Sequence, residues 1–581
     1  MNLAKRAGLL LFIAAIAFYL YGIGALPLVG PDEPRYAQVA REMFTRADFV
    51  TPTLGGHTWF EKPALLYWML MASFKTFGVT EWAARLAPAC AGLLSILAVY
   101  WMGRRVERAS ASEDAAKQSG AVDSNAANSN AADSNAGGSD KALQTGGAPA
   151  LGLWSALALA SSAGLMIFSR AVSFDVIVTW TTTTALACFF VSELEGVERR
   201  RRWLLAAFYA FVGASLLAKG LVGIVIPGGV IGAYFILRRR WPDRSLLLSL
   251  AWGLPLALVV AALWYGPVIA RHGWTFIDEF FIQHHFARYV SNKYRHPGPI
   301  YYYLPAILIL ALPWPAFLVS ALARVRRWEW REPDALGRFR LFTLAWLIVP
   351  IAFFSVSGSK LPGYILPALP AAALLIGEQL SRVVRGEGKT IAIRLTGALL
   401  VTLAVGGMIY AGRTAQLSTS CAALVAAPLF IAGLLALFMA HLRRLCLIAT
   451  ACATLLSLAL AVNCLATVIG LRESTRELLR QANARGLSAA PVYGFYVIER
   501  TSEFYAGERV VRDAGGEVLR FEGAAQVLEA ARQSDGTILV FVPIDGLVQL
   551  TEFSLIETEI IGDNGTVALV AVKSRQAGRR Q

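Results

Sequence analysis

KRAGLLLFIAAIAFYLYGIGALPLVGPDEPRYAQVAREM, residues 5–43, decides how this chain is read. Two cations precede an apolar run lasting to about Pro27, long enough to cross a hydrocarbon core of ~30 Å. No small-residue cleavage site is evident in it, so it reads as a retained first helix rather than a signal peptide. Gly30-Pro31 breaks that helix. Asp32 is placed to cap a second one, with Glu33 and Pro34 in its first turn. Tyr36, Val39, Ala40, Met43 and Phe44 then keep the i, i+3, i+4, i+7, i+8 spacing of a half-buried helix lying in the membrane interface. Its polar face carries Arg35, Gln38, Arg41 and Glu42.

The rest of the chain repeats the first element. Of 581 residues, 56% are hydrophobic and 16% charged, against about 25% charged in a soluble domain. Apolar runs begin near residues 7, 82, 151, 172, 203, 221, 246, 301, 341, 363, 393, 421 and 445, which predicts about thirteen transmembrane helices. The net charge of +15 is spread over short clusters between the runs, so a nucleic-acid surface is not indicated. Lys5/Arg6, Arg104/Arg105/Arg108, Arg199 to Arg202, Arg238 to Arg240, Arg324/Arg326/Arg327, Arg382/Arg385 and Arg443/Arg444 fall in alternate connections, cytoplasmic by the positive-inside rule. An odd number of helices then puts residues 471–581 on the other side. Cys90, Cys188, Cys421, Cys446, Cys452 and Cys464 all lie in or beside apolar runs. They read as small buried hydrophobes, not as a disulfide framework or a zinc site.

The expected organisation is a transmembrane domain over 1–470 with long outward loops at 28–81 and 271–300. Residues 109–150, rich in Ala, Ser, Asn, Asp and Gly, cannot bury a core and are expected to form a disordered cytoplasmic loop. In 471–581 the apolar runs shorten to PVYGFYV, GTILVFV and TVALVAV, alternating with the helical patterns ESTRELLRQAN and AAQVLEAARQ. That predicts a small soluble α/β domain.

Reactive side chains gather on the outward side. Taken alone, Asp32 is explained by helix capping before catalysis. Capping does not explain Asp175, just inside the fourth helix on the same side, although an ion pair with Arg170 would. Lys62, forced extended by Pro63, either snorkels to headgroups or faces a bound phosphate. The second loop, RHGWTFIDEFFIQHHFARYVSNKYRHPGPIYYY, puts Trp274, Ile277, Phe281, His284 and Arg288 on one helical face, with His285 beside it. A divalent ion on His284 or His285, with Glu61, is a candidate there. SGSKLPGYILP, residues 357–367, is an irregular connection that exposes Lys360 and Tyr364 to a ligand at membrane depth. Cations suit a lipid phosphate. Carboxylates suit a sugar whose anomeric carbon becomes positive. Together they point to transfer of a sugar from a lipid phosphate. A secondary transporter would instead keep its charges near the midplane and show repeat symmetry, and no internal repeat is visible.

The Asp-Glu pair after the first helix, followed by RYA and an amphipathic helix, resembles the polyprenyl-phosphate-dependent GT-C glycosyltransferases, which include the protein O-mannosyltransferases. DEPRYAQVAREM…EKPALLYW, FIQHHFARY and SKLPGYILP are more similar to the lipid A aminoarabinose transferases. The resemblance covers nearly the whole chain; the 109–150 insertion departs from it. It implies a bacterial inner-membrane enzyme with a periplasmic active site and tail domain. Its donor would be undecaprenyl-phosphate-linked aminoarabinose and its acceptor a lipid A phosphate. It implies catalytic roles for Asp32, Glu33 and Asp175, and donor-phosphate binding by Lys62, Arg288, Tyr364 and Lys360. No cofactor is required on this reading; a bound divalent metal such as zinc would involve Glu61, His284 and His285. A monomer is expected, with membrane lipids around it. Transfer of mannose or another polyprenyl-linked sugar to protein or glycolipid is the alternative.

Overall fold

The structure, a computed structural model, describes residues 3–128, 151–287, 298–331, 333–414, 418–513, 515–534 and 536–575. The first helix, α1 (Leu3–Leu20), is followed outside the bundle by α2 (Asp32–Thr45), a two-strand hairpin β1 (Thr53–Leu54) and β2 (His57–Thr58), and α3 (Leu65–Phe77). The bundle resumes with α4 (Glu81–Asn128), α5 (Leu151–Ala160), α6 (Ala163–Phe168), α7 (Phe174–Leu194), α8 (Glu198–Lys219), α9 (Val222–Arg238) and α10 (Arg244–Ile277). It closes with α11 (Tyr303–Leu310), α12 (Pro315–Leu322), α13 (Ala335–Ser355), α14 (Leu369–Val384), α15 (Ile391–Thr414), α16 (Thr419–Phe438) and α17 (Arg443–Arg472).

A helix opens close to each of the thirteen expected starts. Among the described residues nine helices are long and apolar enough to cross a membrane. The remaining passes are α1, the shorter α9, and two that are broken. The breaks answer each other. Ala163 N, at the start of α6, donates to Leu312 O between α11 and α12 at 2.9 Å, and Trp314 Nε1 donates to Ser161 Oγ at 2.9 Å. Backbone groups freed inside a membrane are tolerated where protein satisfies them in this way.

Two expectations need correction here. The segment from 109 is not all loop: α4 continues to Asn128, while 129–150 lie outside the described residues. Extending an existing helix needs no nucleation, Ala favours it, and Glu113 ties it down by accepting from Ala335 N (2.7 Å) and Arg338 Nη2 (2.6 Å). The cysteines are not all thiols either: Cys421 and Cys464 form a disulfide, their Cα atoms 5.8 Å apart, joining α16 to α17.

Residues 476–575 build a mixed five-stranded sheet in the order β4 (Arg520–Phe521), β3 (Val492–Phe495), β5 (Ile538–Pro543), β7 (Val567–Ser574), β6 (Ile556–Asp563). β3 runs parallel to β4 and β5; β7 is antiparallel to β5 and β6. Helices α18 (Arg476–Ala484) and α20 (Ala524–Gln533) cover opposite faces, and a short α19 (Ser502–Tyr505) lies between them in sequence. β5 and β7 are buried on both faces, so they read as continuous apolar runs. α19 docks this domain on the first loop: Leu28 N donates to Tyr505 Oη at 2.7 Å, Tyr505 Oη donates to Glu81 at 3.1 Å, and Arg41 lies 4.9 Å over the Phe504 ring.

Candidate active site

Helix α2 starts at the expected cap, one residue early. Pro31 occupies the cap position, without a side-chain bond, and Asp32 is already helical. Asp32 therefore caps nothing. It pairs with Arg35 one turn on, at 2.8 Å, and is more than half exposed. Its neighbour does the structural work. Both Glu33 oxygens are taken: Arg85 Nε and Nη2 bind them at 2.9 and 2.8 Å, Val29 N at 3.1 Å and Val172 N at 2.8 Å. A buried carboxylate so saturated has no lone pair for a reaction, and Glu33 leaves the catalytic set.

Beyond the β1–β2 hairpin the chain returns to the same place. Glu61 and Lys62 pair at 2.9 Å, both largely shielded. Arg35 stacks over Trp59 at 5.6 Å. Beneath these charges lie Tyr36 and Tyr67, whose phenols are pushed well above their ordinary range, by burial first and then by Glu61. Both therefore stay protonated. Arg35 is held above its usual value: burial opposes its charge, but Glu61 and Asp32 outweigh it.

The tyrosines lead to the second carboxylate. Their rings meet Phe174 edge to face at 4.9 and 5.3 Å, and Asp175 is the next residue. Ser173 caps α7 by accepting from Asp175 N, which leaves the Asp175 side chain in the first turn, where the helix dipole favours a negative charge. Arg170 is not its partner. That guanidinium donates to Phe18 O (2.6 Å) and Tyr21 O (2.8 Å) at the end of α1. Lys219, the last residue of α8, holds Asp175 Oδ1 instead, and its ammonium sits 4.7 Å over the Tyr364 ring. Gly363 lies against the same carboxylate; a Cβ there would come within 2.1 Å of Asp175 Oδ2. Lys360 is buried and donates to Ser357 O at 2.7 Å.

So Asp32, Glu61, Lys62, Asp175, Lys360 and Tyr364 share one end of the bundle, and Lys219, Tyr67 and Arg35 join them. The ion-pair partner expected for Asp175 is Arg170; the fold supplies Lys219 in its place. Three buried donors there, Tyr67 Oη, Trp59 Nε1 and Ser359 Oγ, have no protein partner among the described residues. Buried polar groups are seldom left so, and a polar ligand would satisfy them.

The second loop differs from its expected pattern. α10 runs through 271 to Ile277, kinked at Gly273 (φ 55°), and passes into a π-helix, Asp278–Ala287. Phe276 and Phe280 are the buried face, stacked at 5.1 Å with Phe276 against Phe60, while Trp274 is exposed. Arg288 lies outside the described residues. His284 and His285 belong to the π-helix by backbone, but their side chains lie outside the described set. The metal set therefore has one described member, Glu61, and Lys62 already binds it. No cluster of three or more metal-ligating groups occurs among them.

The sequence pattern of the family "Dolichyl-phosphate-mannose-protein mannosyltransferase" matches residues 6–112. A curated relative from Aeromonas salmonicida, "Undecaprenyl phosphate-alpha-4-amino-4-deoxy-L-arabinose arabinosyl transferase", is 32% identical over 70% of this chain and 66% of its own length. The protein of the same name from Pseudomonas aeruginosa (strain UCBPP-PA14) is 31% identical over 68% of this chain and 63% of its own. The match thus spans slightly under two thirds of these relatives. The solved structure of ArnT from Cupriavidus metallidurans bound to undecaprenyl phosphate has the same fold, with a TM-score of 0.73 at 24% identity over 97% of both chains. On the motifs of the first loop, these relatives and this fold, the chain belongs to the polyprenyl-phosphate-dependent GT-C glycosyltransferases.

Proposed function

We propose that this protein transfers 4-amino-4-deoxy-L-arabinose from undecaprenyl phosphate to phosphate groups of lipid A, at the periplasmic face of the bacterial inner membrane. The observation that carries the reading is the meeting of Asp32–Arg35, Glu61–Lys62 and Asp175–Lys219 around Tyr67 and Tyr364 at one end of the bundle. The names of the relatives support the sugar and its carrier. The alternation of basic connections supports the orientation.

The reaction is a direct displacement with inversion. An acceptor phosphate oxygen attacks the anomeric carbon, the bond from that carbon to the carrier phosphate breaks, and its electron pair leaves with the polyprenyl phosphate. Lys62, Lys360 and Arg288 stabilise the leaving phosphate, with Tyr364 beside them. A phosphate acceptor is already anionic near neutral pH, its second pKa being about 6, so no strong base is needed. Asp32, exposed and turned by Arg35, orients the acceptor and offsets positive charge on the sugar; Asp175 serves the same charge from α7.

Mass spectrometry of lipid A from cells with and without the protein tests the proposal. A pentosamine on the phosphates that is lost in Asp32→Asn is the expected result; its persistence without the protein overturns the reading. The pH–rate profile of Asp32→Asn then separates roles. Positioning predicts a rate lower by about 10²-fold or more with an unchanged profile, whereas loss of an acidic limb identifies a base. The family match over residues 6–112 favours one other reading, transfer of mannose to protein, and polyprenyl-phosphate mannose as donor in the same cells distinguishes it.

A further inference from the structure

The bundle has a second concavity at the opposite end from the candidate site. The end of α8 and the start of α9 are in tight contact, Gly223 lying so close to Ser215 that a Cβ would come within 2.2 Å of its backbone. α8 and α10 also touch closely: a Cβ on Gly253 would come within 2.0 Å of the Tyr209 ring. α9 and α10 barely meet. α8 and α10 stay together toward the basic connection 238–243, where Tyr209 Oη meets Ser249 Oγ at 2.8 Å, so it is α9 that diverges from α10 and leaves a cavity of about 750 Å³, within the ~300–1,000 Å³ range of ligand pockets.

The walls are apolar, among them Phe208, Val212, Ile231, Leu250 and Leu254. Along α9 the lining runs from Ile224 to Arg239, about 22 Å at the helical rise of 1.5 Å per residue, longer than the ~15 Å half-thickness of a hydrocarbon core. Gly228 and Gly232 line it too, and a Cβ at either would meet nothing within 4 Å. The mouth is charged. Arg238 turns into the protein, donating to Tyr234 Oη at 3.0 Å and reaching Glu193 at 3.5 Å. Arg239, in the left-handed conformation (φ 51°), ends α9, and it and Arg240 border the cavity with their side chains exposed. Trp241, 93% exposed, stands beside them. An aromatic ring next to cations at a helix end marks the headgroup level of a bilayer.

We propose that this cleft is a selective site for an anionic glycerophospholipid, one acyl chain in the cleft and the phosphate on Arg239 and Arg240. Charge complementarity chooses the occupant. The walls accept any acyl chain, but a zwitterionic headgroup would bring its own cation to two guanidiniums. Basic pockets between transmembrane helices bind acidic headgroups on the same physical basis. The lipid wedges α9 against α10, which the protein's own side chains leave apart. The site is independent of the transferase reading and uses none of its residues.

Native mass spectrometry of the full chain, released from nanodiscs of equal parts phosphatidylglycerol and phosphatidylethanolamine, tests this. Wild type should retain phosphatidylglycerol in preference. Arg239→Asn with Arg240→Asn, chosen because Asn tolerates the left-handed backbone, should lower that preference about tenfold and leave bound phosphatidylethanolamine unchanged. Gly232→Leu, which fills the cleft, should reduce retention of both lipids. Equal retention of the two lipids by wild type overturns the proposal, as does a preference that survives the double substitution. Displacement of phosphatidylglycerol by an equal amount of undecaprenyl phosphate also overturns it, and would assign the cleft to a polyprenyl chain.

Discussion

Asp175 is held from three sides, and the tightest is a missing side chain. Lys219 fixes one oxygen, Ser173 sets the turn beneath it, and Gly363 lets the other oxygen approach a backbone where no Cβ fits. Gly363→Ala should therefore displace the carboxylate, and with it the Phe168 ring, which the new methyl would approach to 2.7 Å. A misplacement of about 1 Å at a reacting centre costs on the order of 10²-fold in rate. Transferase turnover in membranes, measured beside protein level and thermal stability, checks this; an alanine variant as active as wild type would separate Asp175 from the chemistry. Sequence spacing brought Asp32 and Asp175 to one membrane side because helix topology alone does that. It did not reveal the Asp175–Lys219 pair, which bridges 44 residues between two helices, since nothing local specifies which helices adjoin.

At the scale of elements, the first loop is a clamp whose parts have separable effects. Glu33 and Arg85 join α2 to α4, and Val172 N ties in the start of α7. Breaking a buried pair leaves an uncompensated charge and costs about 3–5 kcal/mol. Glu33→Gln should lower thermal stability strongly, whereas Asp32→Asn, more than half exposed, should lower turnover at unchanged stability. If the two variants lost stability equally, the division between clamp and reactive residue would fail. Farther along, Asp48 joins the loop to α10. Burial is the largest influence on its carboxyl and would raise its pKa. The amides of Val50 and Thr51 and the Arg271 guanidinium outweigh it and hold the group below its ordinary value. A depressed folded pKa stabilises above the unfolded value of about 3.9 and ceases to as pH falls through the folded one. The stability difference between wild type and Asp48→Asn should thus be present at neutral pH, shrink below about pH 4 and vanish in stronger acid. A pH-independent difference in thermal scans would exclude this linkage. Most elements were legible from periodicity: α2, α18, α20 and the three apolar strands stand where their patterns placed them. β6 was not, because ETEIIGD mixes charges into an edge strand with one wet face, and α4's extension was hidden by a composition typical of disorder.

For the whole molecule the organising fact is that both halves of the chain meet at one end. The tail domain, reached through α17, rests on the first loop by Tyr505, Phe504 and the Arg476–Glu81 pair at 3.0 Å. The Cys421–Cys464 disulfide lies at that end as well: Cys421 is in the first turn of α16, and Cys464 is near the end of α17 that leads to the tail. Neither cysteine announced a partner in sequence, since each sits in an apolar run with no spacing rule to pair it. The disulfide gives the orientation a chemical test. Disulfides persist in the bacterial periplasm and are reduced in the cytosol. Denatured but unreduced protein should take up maleimide at Cys90, Cys188, Cys446 and Cys452 only, and at all six cysteines after reduction. In spheroplasts a membrane-impermeant reductant should open the bond without lysis, because the end bearing the first loop, the reactive carboxylates and the tail domain would face outward. Labelling of Cys421 and Cys464 that required permeabilised membranes would put that whole end in the cytoplasm. A lipid-linked donor and a lipid acceptor would then have to meet on the opposite face from the one proposed.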